Sequence, residues 1–266
     1  MPKLSLGLGV QNLRKVGGFD ADAAAYFVTA GVTDATAKTQ INEFVVGVKG
    51  LGLYNNMVCY PLRSSQNKGS GATVYSLGGF GTYNGTLVGS PTWGANGIAF
   101  DGSKIMTTSG LLHNPSTTNS SLVAVSSSSE ILNTVVIIEM KNADVAGVRI
   151  RRDTPINYGI SVVNSAGAQV ITSVTNSATL NTFAFLAGSF STTQQFAVAD
   201  GSQSSVATTT PGNANTISFQ LGLAAANFNG TNAFASYFAS TALSFSQTQS
   251  LRTLYKTTLG QGLGLP

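Results

Sequence analysis

The chain has one cysteine, one histidine and one tryptophan in 266 residues, and only 10 acidic side chains. A lone Cys59 excludes an intramolecular disulfide, and its apolar setting, Met57-Val58-Cys59-Tyr60, reads as a buried structural thiol. With one cysteine and His113 as the only histidine, no Cys/His cluster can make a zinc site. His113 sits in Leu111-Leu112-His113-Asn114-Pro115, a turn pattern before a Ser/Thr-rich loop, with no Gly-x-Ser-x-Gly element near it. The glycine-rich stretches Gly69-Ser70-Gly71 and Gly78-Gly79-Phe80-Gly81 neither precede Lys-Ser/Thr nor open a helix, so they read as linkers and turns and not as phosphate cradles.

Charge is scarce as well. Charged residues make up 9% of the chain, against about 25% in an ordinary soluble domain. The surface must therefore be built of Ser, Thr, Asn, Gln and Gly, which suits a protein packed against neighbours. The net charge of +4 reflects missing acids, and the 14 Lys+Arg are thinly spread, so no nucleic-acid footprint is expected. The one basic cluster, Arg149, Arg151 and Arg152, reads as a solvated or partner-facing edge strand, with Arg149 and Arg151 on one face and Arg152 on the other. No apolar run reaches about 18 residues and no charged segment leads into an apolar one, so neither membrane insertion nor ordinary secretion is expected.

What is present is periodicity. Residues 1–16 form an extended arm in which Leu4, Leu6, Leu8 and Val10 alternate with small residues, and the ending Gly262-Leu263-Gly264-Leu265 repeats that pattern. The two ends are expected to pair with each other or with neighbouring subunits. Residues 17–71 form a helical leader and linker. Asp20 or Asp22 caps a segment Ala23 to Val28 ending near Gly31, and a second helix starts at Thr33-Asp34 with its apolar stripe at Ala37, Ile41, Phe44, Val45 and Val48. Leu53 to Pro61 reads as a short connection. From residue 72 the period is two, with strands expected at 98–100, 104–108, 121–126, 134–140, 146–152, 157–163, 168–174, 183–190, 194–199, 215–223 and 233–242. Many short strands at this spacing mean a sandwich or barrel. A final helix, 246–259, starts at a Ser246 cap.

The segment Tyr83-Asn84-Gly85-Thr86-Leu87-Val88-Gly89-Ser90-Pro91-Thr92-Trp93, followed by Gly97-Ile98-Ala99-Phe100-Asp101-Gly102-Ser103, resembles the opening of laminin-G-like, concanavalin A-like lectin/glucanase domains. Phe228-Asn229-Gly230, then Phe234 to Ala239 and the Leu243 to Tyr255 helix, resemble the ending of such a domain. The resemblance implies a mostly β, antiparallel sandwich over residues 72–266, with the arm and helical leader before it and a C-terminal helix and tail. A second resemblance is one of style and order. Pro2 to Val10, Phe27 to Asp34 with Ile41-Asn42, and Leu254 to Gly260 look like structural proteins of tailed-bacteriophage virions.

The fold resemblance brings in chemistry to be tested. Glycoside hydrolases need two carboxylates about 5 to 10 Å apart, and retaining members carry Glu-x-Asp-x-x-Glu on one strand. Here Glu139 is followed by Lys141 and later Asp144, with no second carboxylate at strand spacing. Glu139 therefore reads as an edge or core-rim residue, and no enzyme is expected. Calcium is the one cofactor the resemblance admits, with Asp101 and Asp200 as donors, but each opens an Asp-Gly turn and a calcium site needs more carboxylates. Trp93, Tyr75, Tyr83 and Tyr158 are the aromatics able to stack on a sugar, unless they serve the core.

The reading that results is a non-enzymatic virion subunit, a capsid decoration, head fibre or tail-associated protein assembled in the host cytoplasm. It would act through its arm and helix surface on other virion proteins and form a homo-oligomer. A glycan- or receptor-binding adhesin module, contacting a host-surface glycan, is the alternative, and a diverged glycoside hydrolase the third.

Overall fold

The computed structural model describes residues 18–101, 103–113, 119–128, 135–141, 148–154, 157–163, 169–175, 181–208, 217–222 and 229–266. The arm residues Leu4, Leu6, Leu8 and Val10, and Asp144, lie outside the described residues.

Helix α1 (Ala21–Ala30) begins where the Asp20 side chain accepts a hydrogen bond from the Asp22 N–H, and it stops at Gly31, whose φ of 70° suits a residue without Cβ. Helix α2 (Ala35–Gly50) is capped by Asp34, which accepts from the Ala37 N–H at 2.7 Å. Its buried residues are Ala37, Ile41, Phe44, Val45 and Val48, the stripe its spacing predicts. The strands follow: β1 (Met57–Pro61), β2 (Thr73–Val74), β3 (Gly85–Val88), β4 (Thr92–Gly94), β5 (Gly97–Asp101), β6 (Ile105–His113), β7 (Ser120–Ser128), β8 (Val135–Lys141) and β9 (Val148–Thr154). Then come β10 (Asn157–Val163), β11 (Gln169–Thr175), β12 (Ala184–Phe190), β13 (Gln194–Ala199), β14 (Ser202–Gln203), β15 (Ala207–Thr208), β16 (Ile217–Leu221) and β17 (Asn229–Ala239). Helix α3 (Phe245–Thr257) closes the chain behind a capping box of Ser244 and Gln247, two residues before the expected Ser246 cap.

The strands form two antiparallel sheets. Sheet I has the order β14-β13-β12-β7-β17-β5-β4, with β1 also on β17 and β15 also on β13. Sheet II has the order β11-β10-β9-β8-β16-β6-β3-β2. Phe100, Leu122, Leu186 and Tyr237 of sheet I meet Met106, Ile138, Ile150, Ile160 and Phe219 of sheet II in one cluster between the sheets. Strand alternation sends Val123, Val125, Phe185, Phe234 and Phe238 to the opposite face of sheet I, where they pack with Phe27, Phe44, Val45, Leu251 and Tyr255 of the helices. The result is three layers, helices on sheet I on sheet II, with sheet I covered on both sides. That is why all seven residues of β12 are buried. The mostly β antiparallel sandwich with N-terminal helices and a C-terminal helix is thus the fold the sequence led us to expect.

Two expectations change. The segment read as a connection contains β1, paired with β17 from Met57 opposite Phe238 to Pro61 opposite Phe234. Val58 and Tyr60 enter the inter-sheet cluster while Met57 and Cys59 enter the helical one, so both faces are apolar and no alternation marks the strand. The apolar surface assigned to subunit contacts is also used internally. The α2 stripe, Leu263 and Leu265 are buried in this chain's own helical cluster, and Arg63 Nη1 ties down the tail by donating to the carbonyls of Leu259 (3.1 Å) and Gln261 (2.9 Å). Among the described residues no helix is long and apolar enough to cross a membrane.

Candidate functional site

The face of sheet II turned away from the core carries a row of polar side chains in register. Thr86 on β3 faces Thr107 on β6, which faces Gln220 on β16, which faces Glu139 on β8. Glu139 faces Arg149 on β9, Arg149 faces Ser161 on β10, and Ser161 faces Ile171 on β11. The assignment to this face follows from alternation, because Ile138 and Met140 beside Glu139, Ile150 beside Arg149 and Ile160 beside Ser161 all point into the inter-sheet cluster.

Shielding along the row is uneven. Thr86 and Ile171 at its ends are exposed and Thr107 and Gln220 half-buried, whereas Glu139 and Ser161 are 1% and 0% exposed. Arg149 Nε lies 3.6 Å from Glu139 Oε2, an ion pair too long for a hydrogen bond. The Ser161 hydroxyl and Arg149 Nε are shielded and have no hydrogen-bond partner among the described residues. Arg151, also buried, follows on the same face opposite Gly159. Shielded polar groups of this kind normally find partners. The row offers guanidinium and amide donors beside carboxylate, amide and hydroxyl acceptors, the complement that fixes sugar hydroxyls. Glu139 is the only carboxylate on this face among the described side chains, so no pair for glycoside hydrolysis is formed by them.

The arginine cluster was expected on an edge strand, but β9 lies between β8 and β10 inside sheet II. The expected split of faces holds: Arg152 points inward across from Tyr158, opposite in sense to Arg149 and Arg151. Glu139, expected at an edge or rim, is central for the same reason. A charge on a strand with one core-facing side reads as peripheral until its neighbours in the sheet are known. His113, expected in a turn, ends β6 opposite Ile217.

The four candidate aromatics are not brought together. Tyr158 is buried between the sheets, where desolvation raises its phenol pKa, and it presents no face to a sugar. Trp93 is half-buried on β4 and donates from its indole N–H to the Gly71 carbonyl at 3.1 Å. Tyr75 packs toward the helical cluster, its backbone held on both sides by the Asn67 amide. Tyr83 keeps a partly open ring stacked on Phe80, centroids 5.9 Å apart at 24°. Nothing in the sequence marks Phe80, whose glycine-rich setting reads as a turn.

The calcium donors also separate. Asp101 is exposed and engaged by Lys104 Nζ at 2.7 Å and the Ser103 hydroxyl, which hold its pKa down at about 2. Asp200 sits in the β13–β14 turn and accepts from the Phe185 N–H at 2.9 Å. Four strand steps of sheet I lie between β13 and β5, roughly 19 Å at strand spacing, so one ion cannot bridge the two. Among the described residues no three His, Cys, Asp or Glu side chains cluster.

No protein-family model and no curated protein matches the chain. Solved structures do. The receptor binding domain of botulinum neurotoxin C/D mosaic serotype is similar over 74% of this chain and 50% of that one, with a TM-score of 0.57 and 12% identity. The botulinum neurotoxin serotype G binding domain is similar over 77% and 51%, with a TM-score of 0.54 and 11% identity. The chain thus spans about half the length of these neighbours. Domain 4 of an extracellular GH43 arabinanase from Geobacillus stearothermophilus, in complex with arabinotriose, covers 73% of this chain at a TM-score of 0.47 and 14% identity. At such identities the two toxin domains establish a shared β-sandwich fold.

Proposed function

We propose that the chain is a non-enzymatic binding module that holds a hydroxyl-rich ligand, a glycan or glycosylated receptor, on the polar row of sheet II. The observation that carries this reading is Ser161 in register with Arg149, whose hydroxyl and Nε are shielded polar groups without hydrogen-bond partners among the described residues, on a face outside the core. A ligand hydroxyl can accept from the guanidinium and exchange a hydrogen bond with the serine, satisfying groups that are otherwise costly to shield. The names of the two toxin neighbours, binding domains both, agree with the reading.

The test is a glycan panel screened for retention, followed by titration calorimetry on any binder with Ser161→Val and Arg149→Met. Each variant is expected to weaken binding about tenfold, the worth of one charge-assisted or well-placed hydrogen bond. A panel in which nothing is retained, or a bound glycan indifferent to both substitutions, sinks the proposal. A virion structural subunit is the second reading, favoured by the 9% charged composition; it is tested by whether the chain co-sediments with particles.

A further inference from the structure

Sheet edges expose unpaired backbone groups, and folded proteins blunt them with short strands, charges, prolines or bulges. All edges but one among the described residues follow that rule, and β1, which shares the outer side of β17 with β5, is bridged at Cys59 to Leu77. β2 has two residues and β4 three, and the open side of β13 is covered by the two-residue strands β14 and β15. β11 does not follow it. It runs for seven residues, Gln-Val-Ile-Thr-Ser-Val-Thr, at the end of sheet II, paired with β10 alone among the described strands. It contains no charge, proline or glycine, and its register with β10 is unbroken from Gln169 opposite Val163 to Thr175 opposite Asn157. Its inward side is anchored, since Gln195 Nε2 of β13 donates to the buried Thr172 hydroxyl at 2.8 Å. Its outward side shows Ile171, 45% exposed.

Thr172 stands at the centre of this seven-residue edge, with a valine two residues away on either side. Antiparallel pairing with an identical strand on a two-fold axis through Thr172 sets position 170 against position 174, both valine, and sets Thr172 against Thr172 on the core-side face. On the outer face it sets Ile171 against Ser173, and position 169 lies opposite position 175. The central pairs match β-branched or small polar partners and no pair opposes like charges, so the edge is self-complementary. We infer that β11 joins a second copy of this chain, making sheet II continuous across a two-fold homodimer. This inference is independent of the binding function proposed above. An edge joint of this size lies at the small end of specific interfaces, so a reversible dimer is expected.

Light scattering across a concentration series, up to a few hundred micromolar, is expected to show the mass rising from that of the 27.3 kDa chain toward twice it. Ile171→Lys with Ser173→Lys places like charges opposite each other in this register, and is expected to leave a folded monomer with the wild-type far-ultraviolet ellipticity. Ile171→Lys with Ser173→Glu sets opposite charges across the same pairs and is expected to restore the dimer, which fixes the register as well as the edge. A wild type that stays monomeric throughout overturns the inference. So does a dimer indifferent to the double lysine variant, or one that the lysine/glutamate variant fails to restore. Saturable binding of a Gln169–Thr175 peptide by a wild type that never self-associates would assign the edge to a foreign strand and also overturn it.

Discussion

Phe44→Ala removes a ring that joins the helical layer to the sandwich. Phe44 is fully buried on α2, its ring 5.7 Å from that of Phe234 on β17 and nearly perpendicular to it at 75°. Phe234 in turn lies 4.9 Å from the Tyr255 ring of α3. Truncating a buried phenylalanine costs about 3–5 kcal/mol through lost transfer energy and the cavity left behind, of which about 1 kcal/mol belongs to the edge-on aromatic contact. With a urea m-value of about 3 kcal/mol per molar, a loss of about 4 kcal/mol lowers the unfolding midpoint by about 1.3 M. Far-ultraviolet ellipticity reports the helices, and Trp93 fluorescence reports β4, which packs on the inter-sheet cluster away from the substitution. Because β7, β12 and β17 each contribute to both clusters, the two midpoints are expected to fall together. An ellipticity midpoint that falls while Trp93 holds its own would show that residues 17–71 fold as a separate leader, and would refute the shared-core reasoning.

Two further outcomes follow from local geometry. Gly78→Ala would set a Cβ 2.0 Å from the Met57 carbonyl oxygen at a φ of +133°, so a loss of about 3 kcal/mol or more is expected; Gly50→Ala, with nothing within 4 Å, is the control, and equal melting temperatures for the two would refute the account. The Asp101 carboxyl is held at about 2 by Lys104 and Ser103, below its ordinary 3.8, so its contribution is present above that value and lost as pH falls toward 2. Lys104→Met is expected to return the Asp101 midpoint toward 3.8 in an NMR titration; a midpoint still near 2 would mean that the ammonium is not the cause.

β6, β8 to β11 and β16 were legible because one face meets the core and the other meets water or the polar row, so alternation survives in the sequence; β7, β12 and β17 are apolar on both faces and were legible as runs of seven to eleven residues. β1 was not, since it is buried on both faces like β12 but is only five residues long, Met57–Pro61, too short a run to stand out from a connection. The strands of two or three residues offer too few positions for a period to show. The helices were legible from caps and spacing, but not their destination: an apolar stripe reads the same whether it covers a sheet of its own chain or a neighbour. The polar row was invisible for a related reason. Thr86, Thr107, Gln220, Glu139, Arg149 and Ser161 are scattered over the chain, and only the strand order of sheet II, with β16 between β6 and β8, sets them side by side.

The Glu139–Arg149 pair decides whether that row serves the fold or a ligand. Glu139→Gln leaves the guanidinium of a side chain 17% exposed without its carboxylate, and a loss of about 2–3 kcal/mol is expected, at the lower end for a broken buried pair. Replacing both partners, Glu139→Leu with Arg149→Met, removes the desolvation cost along with the attraction, so the double variant is expected to match or exceed the wild type in a urea melt. Stability alone then gives no reason to keep two charges in the middle of an apolar-backed sheet. If the double variant holds its stability and loses glycan retention, the pair is retained for binding. If it is less stable than either single variant, the charges are structural, and the proposed site loses its centre.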